Sequence, residues 1–132
     1  MTVNRHDPAM MEGQATVERM FGKDVFSQLA DRASKSEFGS AMFQLALEQI
    51  FSEIWARPGL TPRERSIVVL SVLLANGKTD QFRQHVGGGI NNGLSAREIE
   101  EICVQSYPYA GYPAAITALL TAEKVLKERN LI

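Results

Sequence analysis

Apolar residues recur three and four positions apart along almost the whole chain, whereas the alternation of apolar and polar residues that marks a half-buried strand is nearly absent. A spacing of three to four places side chains on one face of a helix. The sequence therefore predicts an all-α protein of about six to seven helices, with no strand.

The length and composition indicate one compact unit. The chain has 132 residues, which is the usual size of one domain, so we expect a single domain over residues 1–132. Hydrophobic residues make up 45% and charged residues 22%, close to the average for soluble globular domains. No linker or internal repeat divides the chain.

The positions of the helices follow from apolar spacing and from helix-breaking residues. The predicted helices span residues 12–21, 24–33, 41–56, 61–76, 79–92, 95–107 and 113–129. Two of them begin with a capping box, at Thr61-Pro62-Arg63-Glu64 and at Ser95-Ala96-Arg97-Glu98. Thr79 is expected to cap the fifth helix, and Pro108 with Gly111 to end the sixth.

The fourth helix carries an apolar run at residues 67–75 that covers all of its sides. A helix that is apolar all round is expected to be buried by neighbours on every face, including those of another subunit. The run is far shorter than the ~20 residues that a bilayer crossing needs. We therefore predict a central helix and no membrane partner.

Charge and cysteine content exclude several classes of protein. Fourteen basic and fifteen acidic side chains give a net charge of -1 without a basic block, which argues against nucleic-acid binding. The single cysteine, Cys103, cannot form an internal disulfide, and His6 and His85 lie too far apart to suggest a metal site. The N-terminus does not resemble a secretory signal. These features predict a cytoplasmic protein without a bound metal.

His85 follows Phe82 by three residues and precedes Val86, so its ring is expected on the apolar side of the fifth helix. It is either a core histidine with a hydrogen-bond partner or the polar group of a pocket. The adjacent Gly87-Gly88-Gly89 costs roughly 0.5 to 1 kcal/mol per glycine relative to alanine. Something is expected to approach this backbone closely, either a packed helix or a ligand beside His85.

Other candidates for chemistry are a cysteine and several arginines. Cys103 lies on the core face of its helix and is predicted to be a buried thiol, not a nucleophile. Cys-x-x-Cys, phosphate-loop and Gly-x-Ser-x-Gly motifs are absent from the sequence. An anionic substrate would need fixed cations, and the candidates are Arg57, Arg63, Arg65 and Arg83. Arg65 adjoins the apolar run, so we expect partial burial and an anionic partner such as Glu53 or Glu64.

Several separated motifs resemble, in this order, those of the carboxymuconolactone decarboxylase family. They are Ser52-Glu53-Ile54-Trp55, Arg57-Pro58-Gly59-Leu60, Arg65-Ser66, His85-Val86, Asn91-Asn92-Gly93, Glu98-Ile99 and Tyr109-Ala110-Gly111-Tyr112-Pro113-Ala114-Ala115. The resemblance implies an AhpD-like helical core at residues 38–132, preceded by a helical extension at residues 1–37. It also implies ring-shaped homo-oligomers, as homotrimers or homohexamers.

The resemblance implies a lyase of aromatic compound catabolism that decarboxylates a small carboxylated lactone without metal or organic cofactor. His85 would be the general acid/base, and Arg65 with Arg57 would bind a carboxylate or oxyanion. Glu53 and Tyr109 complete the substrate-binding residues that it suggests. Family members resemble His-Val-Arg where this chain reads His85-Val86-Gly87. The alternative is therefore an oligomeric paralogue that is non-catalytic or uses another substrate.

The superfamily also includes AhpD-like alkylhydroperoxidases, whose redox motif resembles a Glu, a Cys-x-x-Cys and a His. When this motif is aligned with the chain, Ser66 stands at the position of the Glu, and Lys78 and Gln81 stand at the positions of the two cysteines. Only His85 matches the motif. Thiolate attack and disulfide exchange need those two sulfurs. The dithiol chemistry is therefore absent, and the sequence disfavours an AhpD-like peroxidase.

Overall fold

The computed structural model describes residues 8–132, except for the side chain of Ala9. This part of the chain folds into seven α-helices and one π-helix and contains no strand. The helices are α1 (Pro8–Phe21), α2 (Lys23–Ser34), α3 (Ser40–Leu45), the π-helix (Ala46–Ile54), α4 (Pro62–Ala75), α5 (Thr79–Asn91), α6 (Ala96–Ala110) and α7 (Tyr112–Glu128). The all-α prediction is confirmed, while His6 lies outside the described residues.

The helix boundaries differ from the predictions at a few positions. The first helix begins at Pro8 and not at residue 12, because a proline fits the first turn, where its missing N–H is not needed. Thr79 does not cap α5: the N-cap is Lys78, without a side-chain cap, and Thr79 is the first helical residue. Within residues 8–132, no helix has both the length and the apolar character that crossing a membrane requires.

The chain forms two compact units, Met1–Leu60 and Thr61–Ile132, so the expected single domain over residues 1–132 stays a prediction. In the first unit, α1 packs against α2 and the π-helix, and α2 packs against α3. Phe21 and Phe51 meet edge to face with ring centroids 6.0 Å apart. The buried side chains of this unit include Met10, Val17, Met20, Phe26, Ala30, Leu47, Phe51 and Trp55.

The helix predicted at residues 41–56 is present, but its second half is a π-helix. Backbone bonds there reach five residues back, as from Trp55 N to Ile50 O at 2.9 Å. The buried Ser52 hydroxyl donates to Leu47 O within the same segment. A Cβ on Gly13 would overlap the Ser52 hydroxyl, so this glycine lets α1 approach the π-helix closely.

The second unit consists of α4 to α7, with α4 packed against the other three helices. Its buried core contains Leu70, Leu74, Phe82, Val86, Leu94, Ile99, Ile102, Cys103, Ala118, Ala122, Val125 and Leu126. Both predicted capping boxes are formed, at Thr61 with Glu64 and at Ser95 with Glu98. Glu98 also forms an ion pair with Arg63, which joins the first turn of α4 to that of α6.

The central helix α4 is only partly covered. Leu70 and Leu74 are buried, whereas Val68 and Val72, four residues apart, are each 51% exposed. Within the described residues of one chain, the neighbouring helices therefore leave one side of α4 uncovered. Coverage of the two valines by another subunit stays a prediction.

Pro108 does not end α6, which continues through it to Ala110. A proline inside a helix leaves the carbonyl four residues earlier without its N–H partner, here that of Val104. Val104 is 54% exposed, so water can reach this position. Gly111 N bonds to Tyr107 O at 2.9 Å, and Gly111 then ends the helix with a φ of 94°.

Candidate active site

His85 lies in the middle of α5, between the buried side chains of Phe82 and Val86. The imidazole is partly buried, and desolvation lowers its pKa below the ordinary value of 6.5. Burial has this effect because a low-dielectric surrounding disfavours the charged form. His85 is therefore neutral at pH 7 and can accept a proton or a hydrogen bond.

Arg65 and Ser66 lie on α4, the helix that packs against α5. Arg65 is partly buried, as the sequence predicts, and its Nε is shielded from solvent. Ser66 is 1% exposed, and its Oγ accepts a hydrogen bond from Asn92 Nδ2 at 3.0 Å. This bond ties α4 to the end of α5 and so fixes the helix that carries His85.

The glycine run of α5 is tightly packed at both of its ends. A Cβ on Gly89 would lie 3.0 Å from Leu94 Cδ1 and 3.5 Å from Leu70 Cδ1. A Cβ on Gly87 would lie 2.5 Å from Nη2 and 3.1 Å from Cζ of Arg129. Close packing against apolar side chains therefore explains Gly89, whereas the group over Gly87 is the end of a flexible, exposed arginine side chain.

The three residues that the family resemblance suggests for substrate binding besides Arg65 are exposed. Tyr109 lies near the end of α6 and is 87% exposed. Glu53 is exposed on the π-helix, and Arg57 is exposed just after it. These two belong to the first unit, whereas His85, Arg65 and Tyr109 belong to the second. The substrate-binding roles of Glu53, Arg57 and Tyr109 stay predictions.

Three cavities of the second unit are lined by residues other than His85. A cavity of about 670 Å³ is lined by α6, α7 and Ile132, and one of about 320 Å³ lies between Tyr107 and Tyr112. A third, of about 340 Å³, is lined by Phe82 and Pro113 among others. Neither His85 nor Arg65 lines any of the three, so these cavities do not define the candidate site.

Cys103 lines two of these cavities, but its thiol is a poor nucleophile. The side chain is 2% exposed, and burial, with a smaller contribution from Glu100, raises its pKa to about 11. The thiolate, the reactive form, is therefore scarce at neutral pH. Within residues 8–132, no group of three or more His, Cys, Asp and Glu side chains is arranged to hold a metal ion.

One contact beside the candidate site could not be predicted from the sequence. Arg129, just beyond α7, places its guanidinium on Gly87 and donates from Nη1 to Asn91 Oδ1 at 3.3 Å. The mid-helix glycine does signal a close approach. It does not reveal that the approaching group comes from a residue about forty positions away.

The lowered pKa of His85 gives a prediction for stability. Below pH 6.5 the unfolded chain binds a proton that the folded chain still excludes, so stability falls as pH decreases through this window. A His85→Gln variant loses this contribution. We expect the free energy of unfolding to fall more for the wild type than for His85→Gln between about pH 7.5 and pH 5, as measured by urea titration. Equal decreases would contradict the burial of His85.

The sequence model of the carboxymuconolactone decarboxylase family matches residues 41–124. A 4-carboxymuconolactone decarboxylase of Acinetobacter baylyi is 41% identical over 81 residues, covering 61% of this chain and 60% of that protein. A nitrosuccinic acid decarboxylase, npaB, of Metarhizium robertsii is 29% identical over 85 residues, covering 64% of this chain and 59% of that protein. The chain thus spans about three fifths of the length of these relatives.

Proposed function

Because this chain belongs to the carboxymuconolactone decarboxylase family, we propose that it is a cofactor-free decarboxylase of small carboxylated lactones or related acids. The observation that carries the proposal is His85, a desolvated imidazole within the matched residues, on a helix packed against the one that carries Arg65. A carboxylate substrate needs a cation, and the reaction needs a group that moves a proton.

In the proposed reaction the bond between the substrate carbon and its carboxylate breaks, and carbon dioxide leaves. The electron pair of that bond moves through the ring double bond to the lactone carbonyl, where a nearby cation stabilises the charge. The ring carbon next to the lactone carbonyl then takes up one proton as the double bond shifts towards the carbon that lost its carboxylate, and one proton is drawn from solvent per turnover. In this proposal Arg65 and Arg57 bind the carboxylate or the oxyanion, and His85 transfers the proton.

The protonation state of His85 suits this role once substrate is bound. The free imidazole is neutral at pH 7, since desolvation lowers its pKa. An anion placed close to an imidazole favours the charged form and raises its pKa. Binding of a carboxylate substrate would therefore load His85 with the proton that it later donates to carbon.

The names of the two relatives suggest the substrate class. One names a carboxylated lactone and the other a nitro derivative of a dicarboxylic acid. Lactone carbonyls and nitro groups both accept the electron pair that remains after loss of carbon dioxide. We infer that the substrate carries a carboxylate close to such an electron-accepting group, with Glu53 and Tyr109 as further contacts.

The test is a turnover assay with γ-carboxymuconolactone and, separately, nitrosuccinate. Loss of ultraviolet absorbance and release of carbon dioxide are followed against a sample without protein. We expect catalysed carbon dioxide release from at least one of the two acids. Release from neither would contradict the proposed substrate class and favour the paralogue without turnover, for which Gly87 in place of the family arginine is the supporting observation.

Self-association, as a homotrimer or homohexamer, belongs to the same proposal. The half-exposed Val68 and Val72 form an apolar stripe on α4 that a second subunit could cover. Sedimentation velocity would give the mass, and a monomer at micromolar concentration would contradict the proposal. The expected cytoplasmic location and the role in aromatic compound catabolism stay predictions.

Thiol peroxidase activity remains disfavoured, because Cys103 has a raised pKa and the sequence has no second cysteine. Any peroxide reduction that persists in a Cys103→Ser variant would exclude a thiol mechanism entirely.

A further inference from the structure

The segment of α5 that follows His85 has a low intrinsic helix propensity. Three consecutive glycines, Gly87 to Gly89, stand inside the helix. Glycine is destabilising in a helix relative to alanine because more backbone entropy is lost on folding. The orientation of His85 therefore depends on contacts that hold this segment from outside.

Two sets of contacts hold it, on different sides. Residues 85 and 89 are about 40° apart around a helix, so Gly89, packed against Leu70 and Leu94, lies on the side of His85. Residues 85 and 87 are about 200° apart, so Gly87 lies on the opposite side. There the guanidinium of Arg129 covers the glycine and donates to Asn91, one turn further along α5.

We propose that Arg129 is a positioning residue for His85: its guanidinium, seated on Gly87 and bonded to Asn91, fastens the glycine segment of α5 from the side opposite the imidazole. This inference rests on the proposed function only for its kinetic consequence. Arg129 touches the back of the helix and not the face of His85, so it acts on the proton-transfer group through the backbone.

A Cβ at position 87 would overlap Nη2 of Arg129. That atom is the far end of a flexible, exposed side chain, so a Gly87→Ala change moves the guanidinium off this position while alanine itself favours the helix. When Arg129 is also replaced by alanine, the same methyl group meets no guanidinium. In the double variant, the higher helix propensity of alanine then replaces the stabilising contact of Arg129 with α5. The effects of the two changes on the stability of this segment should therefore compensate each other.

The experiment compares the wild type with Arg129→Ala, Gly87→Ala, the double variant and Arg129→Lys. A 10²-fold loss can follow from misplacing a reacting group by about 1 Å, so we expect about a tenfold fall in kcat for each alanine single variant, with little change in KM. The double variant should regain most of the loss, and Arg129→Lys part of it. Lys127→Ala, which removes a neighbouring exposed cation paired with Glu123, is the matched control.

A second readout does not depend on turnover. The sequence has two histidines, His6 and His85, so imidazole NMR signals can be assigned with a His6→Gln variant. Loosening of α5 should admit water and raise the pKa of His85 towards its ordinary value in both alanine single variants, with recovery in the double variant. If the wild type shows no turnover, the proposed function fails while this titration still decides the role of Arg129.

Three results would overturn the inference. An unchanged His85 titration in Arg129→Ala would show that the guanidinium does not position the imidazole. A rise in KM at constant kcat would assign Arg129 to substrate binding. A double variant as impaired as Arg129→Ala would show that the arginine does more than fasten the glycine segment.

Discussion

His85→Ala is expected to lower kcat by about 10²- to 10⁴-fold, the usual contribution of a positioned general acid or base. The loss should appear in kcat more than in KM, because the main role proposed for the imidazole is to transfer the proton, while the arginines bind the carboxylate. Turnover of γ-carboxymuconolactone, followed by the fall in its ultraviolet absorbance, measures the effect.

The matched control is Gln84→Ala, which changes the exposed residue immediately before the histidine on α5. It should keep wild-type turnover, and circular dichroism should show the same helical content in both variants. Full activity in a folded His85→Ala variant would remove the histidine from the mechanism. Equal losses in both variants would mean that the helix, and not the imidazole, had been damaged.

The features of the fold that depend on residues close together in the sequence could be predicted. The capping boxes at Thr61 and Ser95 form as expected, because each is complete within four residues. The confirmed family and the all-α fold likewise follow from motifs and apolar spacing along the chain. Such signals are local in the sequence, so they do not depend on how the rest of the chain packs.

The features that depend on distant residues could not be predicted. The π-helix places Ser52 against Gly13, nearly forty residues earlier, and nothing near Ser52 signals this contact. The path of α6 through Pro108 is tolerated because the unpartnered carbonyl falls at an exposed residue, and this exposure is known only once the helices are packed. Local rules therefore misjudged the ends or the winding of these helices.

The candidate site shows the same division. The apolar neighbours Phe82 and Val86 predicted the partial burial of His85, and the adjoining apolar run predicted that of Arg65. The occupant of the space at Gly87 was not predictable, since Arg129 reaches it from beyond the end of α7. A sequence can thus show that a backbone is approached closely without showing which residue approaches it.

Arg65→Ala is expected to lower kcat/KM by about 10- to 100-fold, mainly through a higher KM. A hydrogen bond to a charged group contributes about 1.5 to 3 kcal/mol, and each ~1.4 kcal/mol is a factor of ten. Arg65→Lys should recover only part of the loss, because an ammonium group lacks the paired donors that grip a carboxylate. Initial rates across a range of substrate concentrations separate the two constants.

Arg63→Ala is the control variant, since it also removes a guanidinium group, from a residue two positions earlier on the chain. Arg63 is paired with Glu98 at a partly exposed position, so its removal should cost at most about 1 kcal/mol of stability and leave kcat/KM near the wild-type value. If the two variants lose activity equally, the effect is one of general charge or stability. If Arg65→Ala alone loses it, the partly buried guanidinium of α4 is the cation that holds the substrate carboxylate.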